Sequence, residues 1–158
     1  MDDKLLAIKI AVAAFFSSLG GFLGWKGVMV IVWIFAMALD YISGSCAAAK
    51  NGEWDSRIAR EGLWHKGGMI LVVMVASVAD ALFVFMLPHL PLIEARNPGF
   101  LLPLVLAWYI ITEAGSVLEN AVKMGAKVPA WLTKALKIGL KAVDKAGDEA
   151  AGKEADYE

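Results

Sequence analysis

The stretch VMVIVWIFAMALDYISGSCAAA, residues 28–49, is a 22-residue apolar segment with a single charged side chain, Asp40. A helix of this length measures about 33 Å at 1.5 Å per residue, which is enough to cross a hydrocarbon core about 30 Å thick. Residues 67–87 and 100–118 form two further segments of this kind, and they contain Asp80 and Glu113 as their charged residues. The sequence therefore predicts an all-α integral membrane protein with at least three spans.

The composition agrees with a membrane location. Of the 158 residues, 59% are hydrophobic and 20% are charged, and the mean hydropathy is +0.62. Average soluble domains are about 45–50% apolar and 25% charged. The 15 basic residues are balanced by 16 acidic ones, so no excess positive charge is available to bind a nucleic acid backbone. Cys46 is the sole cysteine, which excludes an internal disulfide.

A fourth apolar segment, residues 10–25, precedes these three. It is 16 residues long and reaches Leu5 if Lys9 extends its ammonium group toward the membrane surface. We interpret it as a fourth span, with a re-entrant or interfacial helix as the main alternative and a signal peptide as another. The segment ends in a cluster of glycines that fits close helix packing and a flexible turn equally well. Its members are Gly20, Gly21, Gly24 and Gly27.

The distribution of basic residues predicts the topology. Thirteen of them lie before residue 10, between residues 49 and 67, or after residue 118. Lys26 lies between residues 25 and 28, and Arg96 lies between residues 87 and 100. Basic residues are concentrated in cytoplasmic segments. Four spans with both termini in the cytoplasm satisfy all connections, and if the first segment does not cross, only the N-terminus changes side.

The connections between the segments carry turn and capping signals. Residues 50–65 are expected to form a turn followed by a short surface helix that begins at Arg57 and is capped by Ser56. Residues 88–99 contain three prolines and are expected to be irregular. Residues 147–158 carry five acidic residues and are expected to be a disordered tail.

A basic amphipathic helix is predicted from Trp131 to Lys145. Apolar side chains, including Trp131, occupy the side opposite its lysines, and Pro129 suits its first turn. We expect this helix to lie on the anionic surface of the inner leaflet, with a solvated helix packed on a partner as the alternative. Spacings of three and four residues place four lysines on one face, where they would contact the membrane surface: Lys134, Lys137, Lys141 and Lys145.

Each of the three long apolar spans contains a carboxylate, and a charged group in a bilayer costs roughly 2.5–3.5 kcal/mol on insertion scales. Because no lysine or arginine is expected at the depth of Asp40, Asp80 or Glu113, the sequence predicts no internal salt bridge. The carboxyls would then be protonated and hydrogen-bonded between helices, or ionised along a hydrated path. Asp40 shares a helix face with Gly44 and Ala48, which favours a packing role for this face.

The last span carries a polar stripe within about 120° of arc. Such a stripe needs either a polar partner or a water-filled lumen, and the assembly of identical copies would meet both needs. We therefore treat it as a candidate pore or helix-packing surface. Its members are Thr112, Glu113, Ser116, Glu119 and Asn120.

No catalytic or cofactor motif is found in the sequence. It contains no phosphate-binding glycine loop and no paired histidines at metal-ligand spacing. Ser43 and Cys46 are small nucleophiles, but no base is expected within their reach. We therefore predict no enzymatic activity, no cofactor and no metal site.

Several motifs are similar to the toxin-secretion/phage-lysis holins. They are LDYISG at 39–44, KG at 66–67, Asp80, and EAGSVLEN at 113–120 followed by Gly125, Pro129 and Leu132. Ser43 stands where this family usually has threonine, and the linker at 50–65 is longer and richer in tryptophan. The resemblance covers roughly residues 33–132.

The resemblance implies a homo-oligomer in the bacterial cytoplasmic membrane that forms lesions. These lesions would release an endolysin or a toxin and so cause host cell lysis. On this interpretation residues 1–122 form the transmembrane holin domain, residues 123–146 a basic cytoplasmic helix and residues 147–158 the acidic tail.

Two other functions are also compatible with the sequence. A small ion channel or proton-linked transporter would use Asp40, Asp80 and Glu113 as a relay, although the sequence contains no convincing repeat of the kind that transporters carry. A non-conducting scaffold would recruit a soluble partner through its basic helix.

Overall fold

The structure is a computed structural model that describes the backbone of residues 3–86, 89, 99–150 and 152. Its described elements are helical, apart from turns and short connections. Three of the four helices contain segments that are long and apolar enough to cross a membrane, which confirms the predicted polytopic all-α fold. The helices are α1 (Asp3–Asn51), α2 (Ser56–Met86), α3 (Leu101–Lys123) and α4 (Ala130–Ala150).

The first helix is interrupted at Gly24, where φ is 70° and ψ is 168°. Glycine adopts this backbone conformation without the steric cost that a side chain would add. The break falls within the glycine cluster and separates the span Gly24–Asn51 from the helical residues before it. Whether the segment at 10–25 crosses the membrane stays a prediction.

The connection between α1 and α2 differs from the sequence prediction. We expected a separate surface helix before the second span, but α2 is continuous from Ser56 to Met86. The prediction that Ser56 caps this helix was also wrong, because Asp55 Oδ1 accepts a hydrogen bond from Arg57 N–H at 2.7 Å. No proline separates the polar first turns from the apolar residues that follow, so one helix extends through both. The predicted irregular loop at 88–99 lies mostly outside the described residues.

Helix α3 is central in the bundle, because it packs against each of the other three helices. Leu106 is fully buried at the centre of a small core, and the ring of Trp33 stacks on Tyr109 with centroids 6.1 Å apart. The outward faces of α1 and α2 are apolar and exposed, for example at Phe35 and Val75. Such faces suit contact with lipid tails. The core comprises Trp33, Met37, Met69, Val73 and Leu106.

Helix α4 folds back along α3 in the antiparallel direction. Trp108 Nε1 donates a hydrogen bond to Asp144 Oδ1 at 2.8 Å, and Gly139 packs closely on Ile111. In this structure the leucine side of α4 fits against α3, and the expected position of α4 on the membrane surface stays a prediction. The half-buried side includes Leu132, Leu136, Leu140 and Val143.

The sequence grouped Trp131 with this apolar side, but Trp131 is 70% exposed and lies outside the contact with α3. The four lysines of the amphipathic pattern are exposed. Their contact with lipid headgroups stays a prediction.

Candidate functional site

The three spans bring polar side chains together toward the predicted cytoplasmic side, where the three charged ones lie ten or eleven residues from their helix ends. At 1.5 Å per residue this is a depth of about 15 Å. Helix α1 supplies two of these residues, α2 supplies one and α3 supplies two. We call this group the inner cluster: Asp40, Ser43, Lys66, Glu113 and Asn120.

Lys66 links all three spans within the inner cluster. Its Nζ atom donates to Asp40 Oδ2 at 2.9 Å and to Glu113 Oε2 at 2.6 Å. The side chains of Lys66 and Glu113 are only 12% and 5% exposed. The prediction of no internal salt bridge was therefore wrong. Lys66 directly precedes an apolar segment, but α2 begins ten residues earlier, and its register against α1 and α3 brings Lys66 level with both carboxylates.

Further hydrogen bonds within the inner cluster involve Asn120 and Ser43. Asn120 Nδ2 donates to Asp40 Oδ1 and to Ser43 Oγ, both at 3.1 Å. Ser43 Oγ donates to the Asp40 carbonyl oxygen at 3.0 Å. Glu113 and Asn120 therefore find polar partners within the same chain. The sequence indicated that the stripe on α3 needs either a polar partner or a water-filled lumen. For these two residues, the fold provides the polar partner.

The other members of the predicted stripe have different surroundings. Thr112 Oγ1 donates to the Trp108 carbonyl oxygen at 2.9 Å, and Ser116 Oγ donates to the Thr112 carbonyl oxygen at 3.3 Å. Hydroxyl groups in helices often bond to the preceding turn in this way. Glu119 is exposed. In the stripe, the buried residues Glu113 and Asn120 therefore join the spans. The other three, Thr112, Ser116 and Glu119, do not.

Gly44 lies against the inner cluster. A Cβ atom at Gly44 would be 3.4 Å from Asn120 Nδ2, so a larger side chain there requires Asn120 to move. The sequence suggested a packing role for this face. In this structure, the face packs against another helix of the same chain.

We expect Gly44→Leu to displace Asn120 from Asp40 and to lower the free energy of unfolding by about 1–3 kcal/mol, as overpacking typically does. Denaturant unfolding in detergent micelles measures this effect. Gly68→Leu is the matched control, because Gly68 is an exposed helical glycine with no atom near its Cβ position. Equal stability of the two variants would contradict the assigned role of Gly44.

A second group of charges lies at the opposite ends of the spans, and we call Lys26, Asp80 and Gly99 the outer cluster. Asp80 Oδ1 accepts from Leu101 N–H at 2.9 Å, and Asp80 Oδ2 accepts from Leu102 N–H at 3.1 Å. Lys26 Nζ lies 3.6 Å from Asp80 Oδ2 and donates to the Gly99 carbonyl oxygen at 2.7 Å.

The outer cluster supplies the N-terminal cap of α3. The first N–H groups of a helix have no partner within the helix, and negative charge is favourable beside them. Phe100, at the capping position of α3, contributes no side-chain hydrogen bond. Asp80, which is 5% exposed, fills this role from the neighbouring helix. It therefore acts as a structural cap between α2 and α3.

The two clusters are well separated. Fourteen residues separate Lys26 from Asp40 on α1 and Lys66 from Asp80 on α2, which corresponds to about 21 Å at 1.5 Å per residue. The apolar core around Leu106 lies between them. Asp80 therefore has no direct contact with the carboxylates of the inner cluster, and the three acids do not form one continuous relay.

A cavity of about 450 Å³ opens beside the inner cluster, between the ends of the three spans. Most of the residues that the sequence indicated line this cavity, whereas Glu113 and Asp80 do not. Among the residues that the structure describes, no group of three or more histidine, cysteine or acidic side chains could hold a metal ion. The residues of interest that line the cavity are Asp40, Gly44, Lys66, Ser116, Glu119 and Asn120.

Sequence reasoning missed Lys26 and Lys66, the two cations of the clusters. The signal was that each borders an apolar segment, next to the end of a predicted span. Their partners depend on how far each helix extends past its apolar segment, and the hydropathy pattern does not contain that information.

Comparisons with known proteins identify a family to which the chain is similar. A model of the bacteriophage holin family matches residues 17–141, which include all three spans and part of α4. An uncharacterized protein of Clostridium perfringens is 29% identical over 141 residues, or 87% of this chain and 93% of that protein.

Other relatives are similar over slightly shorter ranges. An uncharacterized 14.9 kDa protein in the nagH 3' region of Clostridium perfringens is 30% identical, covering 70% of this chain and 73% of that protein. An uncharacterized protein of Listeria innocua is 29% identical, covering 84% of this chain and 86% of that protein. No solved structure matches the chain. On the match to the family model, which covers most of its length, the chain belongs to the bacteriophage holin family.

Proposed function

We propose that this chain is a holin that assembles in the bacterial cytoplasmic membrane into lesions large enough to release proteins. The observation that carries the proposal is the family match, which extends across every described span and into α4. The released protein would be an endolysin, with host cell lysis as the result, or an exported toxin. The protein would act without enzymatic chemistry and without a cofactor.

The arrangement of charges supports assembly from preformed units. The inner and outer clusters pair buried charges within one chain and join α3 to α1 and α2 at both ends. Removing one partner of a buried ion pair is costly, so the three spans are expected to stay together when copies assemble. The apolar outward faces of α1 and α2 are free to contact lipid or further copies.

The proposed partners are further copies of the chain and membrane lipids. Before assembly, the lysines of α4 would lie among anionic headgroups of the inner leaflet, because an ammonium group is poorly tolerated in hydrocarbon. The endolysin or toxin is a functional partner that passes through the lesion. We propose no nucleic acid partner.

Leakage from reconstituted vesicles tests the proposed function. Vesicles of phosphatidylethanolamine and phosphatidylglycerol are loaded with a folded enzyme and, separately, with a small fluorescent dye. We expect both contents to be released above a threshold of protein to lipid. Release of ions or dye without the enzyme would indicate a channel, and retention of everything would indicate a scaffold.

The topology provides a separate prediction. Thirteen basic residues lie on one predicted side of the membrane and two on the other, which predicts a cytoplasmic C-terminus before lysis. We expect a reporter that is active only outside the cytoplasm to stay silent when it is fused after Glu158. A second reporter that is active only in the cytoplasm provides the complementary signal, and strong activity of the first reporter in unlysed cells would reject this orientation.

A further inference from the structure

We propose that α4 is docked on α3 in the assembled lesion, where its lysine face lines the water-filled lumen. This inference rests on the proposed lesion formation and deepens it, because it identifies the surface that faces the released protein. The lysine face is defined by Lys134, Lys137, Lys141 and Lys145.

The contacts between α3 and α4 fix the depth of α4. The hydrogen bond from Trp108 Nε1 to Asp144 Oδ1 and the close approach of Gly139 to Ile111 set the antiparallel register. Trp108 lies fifteen residues before Lys123, the last residue of α3, which corresponds to about 22 Å at 1.5 Å per residue. Because α3 is one of the membrane spans, docked α4 extends most of the way across the bilayer.

The outward face of docked α4 does not suit lipid. Its four lysines are exposed, and among the residues that the structure describes, Lys145 forms an ion pair with Glu149 at 3.6 Å, whereas the other three have no ion-pair partner. Hydrocarbon provides no hydrogen bonds for ammonium groups, and charged side chains in membranes face other protein groups or water. A docked α4 therefore requires water on its outer side at membrane depth.

The polar stripe on α3 is the other candidate for a lumen surface, and its participation in the inner cluster excludes it. Glu113 and Asn120 form the most polar part of the α3 stripe, but they face α1 and α2 and are buried. The outward faces of α1 and α2 are apolar, as at Val75, which is 69% exposed. Of these surfaces, the lysine face of α4 combines charge, exposure and membrane depth. In a ring of copies, like-charged lysine faces repel each other, which favours a wide opening.

Fluorescence of a bimane probe at single cysteines tests the proposal in the full-length protein, with Cys46→Ala as the background. A probe at Gly147→Cys, one turn beyond Asp144 and with free space around it, reports docking because Trp108 quenches bimane at close range. Trp108→Phe removes this quencher while the other five tryptophans remain. The vesicles are those of the leakage assay, studied below and above the release threshold.

Water and lipid are distinguished by two further positions. Lys141→Cys places the probe on the lysine face, and Val75→Cys is the matched control, since Val75 is exposed on the apolar face of α2. We expect aqueous iodide to quench the probe at position 141 several-fold more strongly than brominated lipid does in leaking vesicles. The order should reverse at position 75.

The outcomes separate this inference from the proposed function. Enzyme release together with Trp108-dependent quenching at position 147 and iodide quenching at position 141 supports both. Enzyme release without Trp108-dependent quenching, or with lipid quenching at position 141, overturns the lumen assignment alone. If no condition releases the enzyme, the proposed function fails, and the lumen assignment fails with it.

Discussion

Replacing Lys66 with methionine is expected to destabilise the protein strongly, and by more than Asp80→Ala or Gly44→Leu does. The substitution keeps the length of the side chain but leaves the carboxylates of Asp40 and Glu113 close together without their shared cation. Removing one partner from a buried ion pair typically costs about 3–5 kcal/mol. We expect a loss of this size in the free energy of unfolding, measured by denaturant titration in micelles, and a lower abundance in membranes.

Two comparisons test whether charge is the cause of this loss. Lys123→Met removes an exposed lysine from the end of α3 and is expected to have little effect. Combining Lys66→Met with Asp40→Asn and Glu113→Gln removes all three charges and should recover much of the lost stability, since uncharged polar groups tolerate burial better than an unpaired charge. If the triple variant is no more stable than Lys66→Met, packing of the lysine side chain explains the loss instead.

Asp80→Ala is expected to have the second largest effect. The substitution removes the acceptor of the Leu101 and Leu102 N–H groups and exposes the start of α3 to an apolar environment. Because hydrogen bonds to a charged acceptor contribute about 1.5–3 kcal/mol each, we expect a loss of about 3 kcal/mol. Unfolding in micelles measures the stability, and hydrogen exchange of the first turn of α3 locates the change.

Asp55→Ala is the matched control for this prediction. Asp55 also caps a helix with a side-chain oxygen, but it is exposed and lies before α2. Loss of such a cap costs about 1 kcal/mol. Hydrogen exchange that increases equally along the whole of α3 in Asp80→Ala would contradict a local capping role.

The spans were predictable from the sequence, because hydrocarbon thickness sets a minimum length for an apolar helix. Residues 28–49, 67–87 and 100–118 fall within or nearly within the helices of the structure. Helix ends were less predictable. The polar residues after Ser56 extend α2 outward from the bilayer, and hydropathy alone does not separate a helix that continues into water from one that begins at the membrane surface.

The candidate site was predictable in part. The sequence singled out Asp40, Gly44, Glu113 and Asn120, and the structure brings all four to one place beside Lys66. It also singled out Asp80, which instead caps α3. A carboxylate in a span indicates that a polar or charged partner is required. The partner lies on another helix, and its identity depends on the relative register of the two helices.

The sequence by itself determined the number of described spans, the amphipathic character of α4 and the presence of carboxylates that require partners. These properties follow from local patterns of apolar and polar residues along one helix. Only the tertiary structure decided that Lys66 pairs two of the carboxylates, that Asp80 caps α3 and that α4 folds back on α3. These contacts join residues from 21 to 80 positions apart, and they depend on rotations and axial offsets between helices that no single helix specifies.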